Sequence, residues 1–166
     1  HMRSEDQYLV EAVEEAIEIS RESGAPLLIT HLKVAGQPNW HKVDAVIELM
    51  QKARAEGLQV HCDRYPYLAY STGLNFFYPG WSKEGGRFLE HLRNPRQRAR
   101  MKKETLEKVD ANGGWESLMI SGGVPDADKS LLGRRLDEVA KERGDDTYEF
   151  ACDLLLRGRI SIVGFA

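Results

Sequence analysis

The sequence lacks any long apolar run, has few cysteines and carries no large excess of charge of one sign. None of its hydrophobic stretches approaches the length of a membrane span, so we expect a chain that does not cross a membrane. Two cysteines in 166 residues do not form a disulfide framework. Because no signal peptide is visible either, we expect a reducing, cytoplasmic location. A net charge of −3 argues against a general nucleic-acid-binding protein.

The composition that remains is typical of a globular domain. Hydrophobic residues make up 42% and charged residues 30% of the chain, whose length suits one ordinary domain with a sizeable core. The chain opens on His1 without a preceding strand and stops in an apolar run over 160–166, so we expect both ends to lie inside a larger protein. A His-Met pair is also what an expression vector leaves behind, so a vector-derived His1 is an alternative to a native one.

Apolar periodicity predicts two helix–strand pairs in the first part of the chain. A helix with Ser4 as its N-cap ends at Gly24 and is followed by an apolar run, 27–31, typical of a strand buried on both faces. A second helix, capped by Asn39, then leads into a strand over 58–62. The residues expected to form its buried stripe are Val43, Val46, Ile47, Met50 and Ala53. This order implies right-handed crossovers and parallel strands, so the predicted fold class is α/β.

The character of the sequence changes after Tyr67. Residues 68–81 are rich in aromatic residues, Gly and Pro, which predicts an ordered loop, and 87–110 predicts a basic helix. Glutamates interrupt the basic run and favour a solvated helix face over a nucleic-acid site. The pattern then predicts a short strand, two amphipathic helices and a last strand, over 115–120, 131–143, 147–156 and 160–166.

Two histidines are candidate metal ligands. His1 and His31 each lie at or beside the carboxyl end of a predicted strand, and neighbouring strands are about 4.8 Å apart, so their rings can share one cation. Zinc is the metal that such a pair favours. Lys33, two residues along the strand, points to the same side as His31. The alternatives are unrelated histidines on neighbouring strands, and a core histidine followed by a surface lysine.

Other polar residues near these positions are interpreted as structural. Asp63 follows the second strand and is expected to pair with Arg64 or with a backbone amide. Cys62 and Cys152 are interpreted as small buried apolar residues.

Several motifs, taken in order, resemble a known family. They are His-Met-Arg-Ser-Glu at 1–5, Thr-His-Leu-Lys at 30–33, Asn-Trp at 39–40, Asp-Arg-Tyr-Pro-Tyr at 63–67 and Ser-Thr at 71–72. In this order and spacing the chain resembles the N-acyl-D-amino-acid deacylases (D-aminoacylases) of the amidohydrolase superfamily. The similarity runs in register from residue 1 to about residue 75, and more loosely over 152–166.

The resemblance implies a fold and an activity. It implies part of the C-terminal half of a (β/α)₈ TIM-type barrel of a metal-dependent hydrolase, with barrel βα units over 1–67, an inserted, mainly helical lid over 68–144, and a return to the barrel over 145–166. It further implies that the full-length parent uses one or two zinc ions to hydrolyse the amide of N-acyl-D-amino acids. The expected partner is a small N-acyl amino acid, with no nucleic acid and no membrane.

The resemblance also implies roles for five residues. His1 and His31 correspond to the metal-binding histidines of barrel strands five and six. Lys33 corresponds to the residue that binds the substrate carboxylate. Tyr65 corresponds to the catalytic tyrosine that hydrogen-bonds the scissile carbonyl or its oxyanion, and Ser71 to a residue of the substrate pocket.

The chain also departs from the family pattern. The family's His-x-His pair, its cysteine ligand and its general acid/base aspartate have no counterpart in these 166 residues. A dihydroorotase-like cyclic amide hydrolase and a non-catalytic α/β module therefore remain alternatives. We expect the chain by itself to bind zinc weakly, to be inactive, and to self-associate through open sheet edges.

Overall fold

The computed structural model describes residues 1–165, which form two compact units. The first is His1–Tyr67, and the second begins at Leu68 and includes the described residues up to 165. Each unit has its own cluster of buried apolar side chains.

The first unit alternates helices and strands. Its elements are α1 (Leu9–Ser23), β1 (Leu27–Ile29), a 3₁₀ helix (Gln37–Lys42), α2 (Val43–Ala55) and β2 (Val60–Cys62). β1 and β2 are parallel, with Leu27 opposite Val60 and Ile29 opposite Cys62. The predicted order and the parallel pairing are both confirmed.

The core of the first unit lies between the two helices and one face of the two-stranded sheet. Its central side chains are almost fully buried: Leu9, Val13, Ile17, Ile29, Val46, Met50 and Val60. Leu28 points to the other face and is 54% exposed, so the prediction of a strand buried on both faces is wrong. The predicted stripe of α2 is also too wide, because Val43 and Ile47 are exposed.

The start of α1 differs from the prediction, whereas its end agrees with it. The helix begins at Leu9, with Tyr8 in the N-cap position, so Ser4 is not the N-cap. Ser4 Oγ instead accepts hydrogen bonds from the backbone amides of Asp6 and Tyr8 and closes the turn before the helix. Gly24, with φ of 67°, ends the helix in a left-handed conformation that glycine adopts without steric cost.

The second unit combines an antiparallel sheet with four helices. The elements are β3 (Ala69–Gly73), α3 (Phe88–Arg93), α4 (Pro95–Asp110), β4 (Leu118–Gly122), α5 (Leu136–Arg143), α6 (Thr147–Arg157) and β5 (Ser161–Phe165), with short 3₁₀ helices between them. β5 lies between β3 and β4 and is antiparallel to both.

Two predictions for the second unit are wrong in instructive ways. The predicted loop over 68–81 contains β3, which exists because β5, near the other end of the unit, pairs with it. The single predicted helix over 87–110 is two helices. Asn94 ends the first and caps the second through Oδ1, which accepts from the amides of Arg96 and Gln97, and Pro95 occupies the first helical position.

Other local predictions have mixed outcomes. Asp146 caps α6 by accepting from the amide of Glu149. Cys152 is buried, which confirms its interpretation as a core residue, whereas Cys62 is exposed, so the same interpretation of Cys62 is wrong. No helix among residues 1–165 is long and apolar enough to cross a membrane.

Candidate metal centre

The two predicted ligands lie side by side in the first unit. Nδ1 of His1 is 2.9 Å from Nε2 of His31, and the rings meet edge-on with centroids 4.9 Å apart. Two nitrogen ligands at about 2.0–2.1 Å from a tetrahedral zinc are about 3.3 Å apart. The observed separation is therefore within a few tenths of an ångström of what a shared ion requires.

Neighbouring residues fix the positions of both histidines. Met2 is buried in the core of the first unit and anchors the backbone beside His1. His31 lies just beyond β1, with φ of 43°, a left-handed conformation that is uncommon outside glycine. Asp63 holds this turn, because its Oδ1 accepts from the amide of His31 at 2.6 Å and its backbone carbonyl accepts from the amide of Leu32. The prediction that Asp63 pairs with a backbone amide is confirmed.

Lys33 lies beside the histidine pair, but strand geometry, the predicted cause, does not place it there. Its Nζ is 3.3 Å from Nδ1 of His31 and 3.4 Å from the carbonyl oxygen of the same residue. Strand periodicity does not explain this proximity, because β1 ends at Ile29. The turn at His31 brings the two side chains together.

Glu5 is part of the site, although it is not among the predicted site residues. Oε1 lies 2.8 Å from Nδ1 of His31, and Oε2 forms an ion pair with Nζ of Lys33 at 2.5 Å. The carboxylate is only 13% exposed, and the backbone carbonyl of Glu5 accepts from the amide of Ala35. The sequence carried one signal for including Glu5: it lies in the motif at 1–5, four residues after the candidate ligand His1.

Tyr65 lies on the side of the first unit that carries Lys33. Nζ of Lys33 is 5.9 Å from the centroid of the ring, close enough for a weak cation–π contact. Burial raises the pKa of the Tyr65 phenol above its usual value, and Arg64 offsets part of that effect. The phenol is therefore protonated at neutral pH and can donate a hydrogen bond.

Ser71 belongs to the second unit. It is an exposed residue of β3 and pairs with Val163 of β5. Of the five predicted site residues, the first unit thus brings together His1, His31 and Lys33, with Tyr65 beside the lysine.

The cluster has the composition of a metal site. Donor atoms of His1, Glu5 and His31 all lie within 4.8 Å of one another. Oε1 of Glu5 is buried, and its contact with His31 is short but not aligned as a hydrogen bond. Two imidazoles and a carboxylate are ligand types that zinc accepts. The residues present therefore fit a zinc ion.

Comparison with known proteins finds curated deacylases that are similar to this chain. No protein-family model matches the chain. A D-aminoacylase from Alcaligenes xylosoxydans xylosoxydans is 32% identical over 160 residues, which are 96% of this chain and 26% of that protein. The predicted resemblance to the N-acyl-D-amino-acid deacylases is confirmed. The chain spans about a quarter of the length of this curated deacylase.

Solved deacylase structures share the fold of the chain. An N-acyl-D-glutamate deacylase from Bordetella bronchiseptica, solved with zinc and a phosphonate mimic of the tetrahedral intermediate, has a TM-score of 0.70 at 23% identity, covering 100% of this chain and 27% of that one. A D-aminoacylase described as defining a novel subset of amidohydrolases has a TM-score of 0.66 at 27% identity, covering 99% of this chain and 27% of that one. The mixed helix-and-strand fold is therefore that of a segment of these deacylases.

Proposed function

We propose that this chain is part of a zinc-dependent amidohydrolase that cleaves N-acyl-D-amino acids into a carboxylate and a free amino acid. The observation that carries the proposal is the 2.9 Å approach of His1 to His31. This pair occurs in a chain that resembles D-aminoacylase over 96% of its own length.

The fold supports a barrel in the larger protein. Two parallel strands, each preceded by a helix, are the arrangement of consecutive βα units, and His31 follows the carboxyl end of β1, where barrel enzymes place their active sites. We assign 1–67 to barrel units and 68–144 to an inserted lid. The assignment of 145–166 to a return to the barrel rests on the family resemblance, since β5 is antiparallel to its neighbours.

His1 and His31 would hold the zinc, with one or two ions in the full-length parent. A bound zinc lowers the pKa of its water towards neutrality and polarises the amide carbonyl. The chain's own residues bind and orient the substrate around it. The Lys33 ammonium pairs with the substrate carboxylate and so fixes the position of the scissile bond.

Tyr65 would stabilise the charge that develops on the carbonyl oxygen. Its protonated phenol is a hydrogen-bond donor beside Lys33, and such donors act most strongly when they are held in place before the reaction. Ser71 would line the substrate pocket.

By itself, the 166-residue chain would be catalytically inactive. The family's other metal ligands and its acid/base aspartate have no counterpart here, so the chain would bind zinc weakly and turn over no substrate. The exposed Leu28 lies on an open face of the two-stranded sheet, and such surfaces favour self-association. Two free cysteines are consistent with a cytoplasmic location.

The test replaces His31 in the longer protein. His31→Ala should abolish zinc-dependent release of acetate from N-acetyl-D-amino acids. The matched control is His41→Ala, at an exposed position in the 3₁₀ helix before α2, which should retain full activity. Undiminished deacylation by His31→Ala would refute the proposal. A panel that includes cyclic amides separates the deacylase from the dihydroorotase-like alternative.

A further inference from the structure

We propose that Lys83 is a nucleophilic lysine and the preferred site at which activated acyl groups, such as those of acyl phosphates, modify the second unit. Lys83 lies outside the candidate metal centre, so its reactivity is independent of the proposed function. The cause is the way in which the second unit holds two ammonium groups, those of Lys83 and Lys108, next to each other.

The two ammonium groups lie against adjacent residues of one short 3₁₀ helix, Leu74–Phe77. Nζ of Lys83 is 3.3 Å from the carbonyl oxygen of Asn75. Nζ of Lys108, from α4, lies 3.8 Å from the centroid of the Phe76 ring. The charge of Lys108 therefore acts on Lys83 and disfavours the charged form of the Lys83 amine.

The surroundings of Lys83 do little to offset this repulsion. The side chain is partly buried, and its contact with Asn75 is to a neutral carbonyl oxygen. No carboxylate among residues 1–165 forms an ion pair with Lys83. Burial and the charge of Lys108 lower the pKa of Lys83 below its ordinary value. At neutral pH a larger share of this amine is therefore uncharged and nucleophilic than of an exposed lysine.

The backbone next to Lys83 is held in place by buried hydrogen bonds. The preceding residue, Ser82, is fully buried, and its hydroxyl donates to the carbonyl oxygen of Pro79 at 2.6 Å. The carbonyl oxygen of Ser82 lies 2.9 Å from Nδ1 of His91 in α3. The position of Lys83 beside Asn75 therefore follows from the fold of the second unit.

The expected modification is an acyl transfer to nitrogen. The lone pair of the uncharged Nζ attacks the carbonyl carbon of the acyl phosphate, and a bond forms between nitrogen and carbon. The bond between that carbon and the phosphate oxygen breaks, inorganic phosphate leaves, and the nitrogen gives up one proton to water. The product is an amide at Lys83, which no longer places a positive charge beside Lys108.

The experiment treats the full chain with acetyl phosphate, and peptide mass spectrometry measures the initial rate of acetylation at each lysine as a function of pH. Lys103 and Lys129, both exposed, are the reference lysines. A parallel series uses the acetyl ester of N-hydroxysuccinimide, which is an uncharged donor. Lys108→Met removes the neighbouring charge, and Lys103→Met, which removes an exposed charge of the same helix, is the matched control.

The expected result has three parts. With both donors and at neutral pH, Lys83 should be acetylated about threefold faster than Lys103 and Lys129, or more. Lys108→Met should slow the reaction at Lys83 about twofold or more without changing that at Lys129, and Lys103→Met should affect neither site. The rate at Lys83 should level off at a lower pH than the rate at Lys129, a difference that accessibility alone does not produce.

Three results would overturn the proposal. The first is acetylation of Lys83 no faster than that of the two reference lysines. The second is a preference for Lys83 with acetyl phosphate alone, which would reflect attraction of the anion rather than nucleophilicity. The third is an unchanged rate and pH profile at Lys83 in Lys108→Met. If that variant does not fold, the pH profile of Lys83 against Lys129 in the unmodified chain decides the question.

Discussion

The carboxylate of Asp63, at the end of β2, accepts a hydrogen bond from the backbone amide of His31 over 2.6 Å. The bond spans the ends of two parallel strands and holds a non-glycine residue at a φ of 43°. Such a conformation persists only where the surroundings over-determine it. The placement of the candidate ligand therefore depends on Asp63.

Replacing Asp63 should loosen this turn. Asp63→Ala should lower the free energy of unfolding of the first unit by about 1–3 kcal/mol, because a charge-assisted hydrogen bond is lost. It should also speed hydrogen exchange at the His31 amide, as measured by NMR. Asp63→Asn retains the acceptor oxygen and is the matched control. Equal exchange rates in Asp63→Ala and the unmodified chain would contradict this role.

Lys33 should determine substrate affinity in the longer protein. Lys33→Met removes the ammonium that would pair with the substrate carboxylate and should raise KM about tenfold or more, the equivalent of one charge-assisted hydrogen bond. Steady-state kinetics on N-acetyl-D-amino acids measure this. As a control, the substrate amide without its carboxylate should respond to the variant much less. An unchanged KM would remove Lys33 from the binding site.

Arg98 should stabilise the second unit. Its guanidinium bonds Glu149 and Asp153 of α6 and the carbonyl oxygen of Leu92 in α3, and its side chain is only 19% exposed. Arg98→Ala should lower the free energy of unfolding by about 1–2 kcal/mol in urea titrations, because the carbonyl of the buried Leu92 loses its donor. The carboxylates of Glu149 and Asp153 are 43% and 60% exposed, so water replaces much of their interaction with Arg98. The matched control is Lys103→Ala, which lies in α4 with Arg98 and has a side chain that is 86% exposed. It should change the free energy of unfolding by less than about 0.5 kcal/mol.

The second unit should lose stability at alkaline pH. Burial raises the pKa of both Tyr78 and Tyr148. Unfolded tyrosines ionise near pH 10, so above that pH the unfolded state binds fewer protons and stability falls as pH rises. The stabilisation is fully present below about pH 10. Urea titrations between pH 8 and 11, at steps of about one pH unit, measure the slope.

A matched pair of variants tests this cause. Tyr148→Phe should make the alkaline loss of stability shallower, although it also removes the hydrogen bond from the phenol to the carbonyl of Arg98. Tyr67→Phe, at a residue 69% exposed, should leave the slope unchanged. Identical slopes in the two variants would contradict the linkage.

Much of the first unit could be predicted from the sequence, because its signals are local. Apolar residues at helical spacing and Gly24 defined α1, and the alternation of helices and strands predicted the parallel pairing of β1 with β2. The prediction that Ser4 caps α1 was wrong, because its hydroxyl closes a turn before the helix begins. The prediction that β1 is buried on both faces was wrong, because the hydrophobicity of Leu28 does not show whether another layer covers its face of the sheet.

The fold of the second unit and the place of Glu5 in the site depend on long-range contacts. β3 is a strand because Ser71 pairs with Val163, and no local pattern in a glycine- and aromatic-rich segment shows that pairing. Glu5 contacts His31 and Lys33, which lie beyond the whole of α1. The proximity of His1 and His31 could be proposed from strand order. The turn at His31 that brings the two rings together could not, and only the structure shows it.

Anomalous diffraction at the zinc absorption edge tests whether His1 and His31 share one zinc ion. Crystals of the chain soaked in a zinc salt should show an anomalous peak about 2.0–2.1 Å from Nε2 of His31 and from Nδ1 of His1. A soaked crystal with its strongest peak at other residues, such as the exposed His61, and none between these two rings would contradict it.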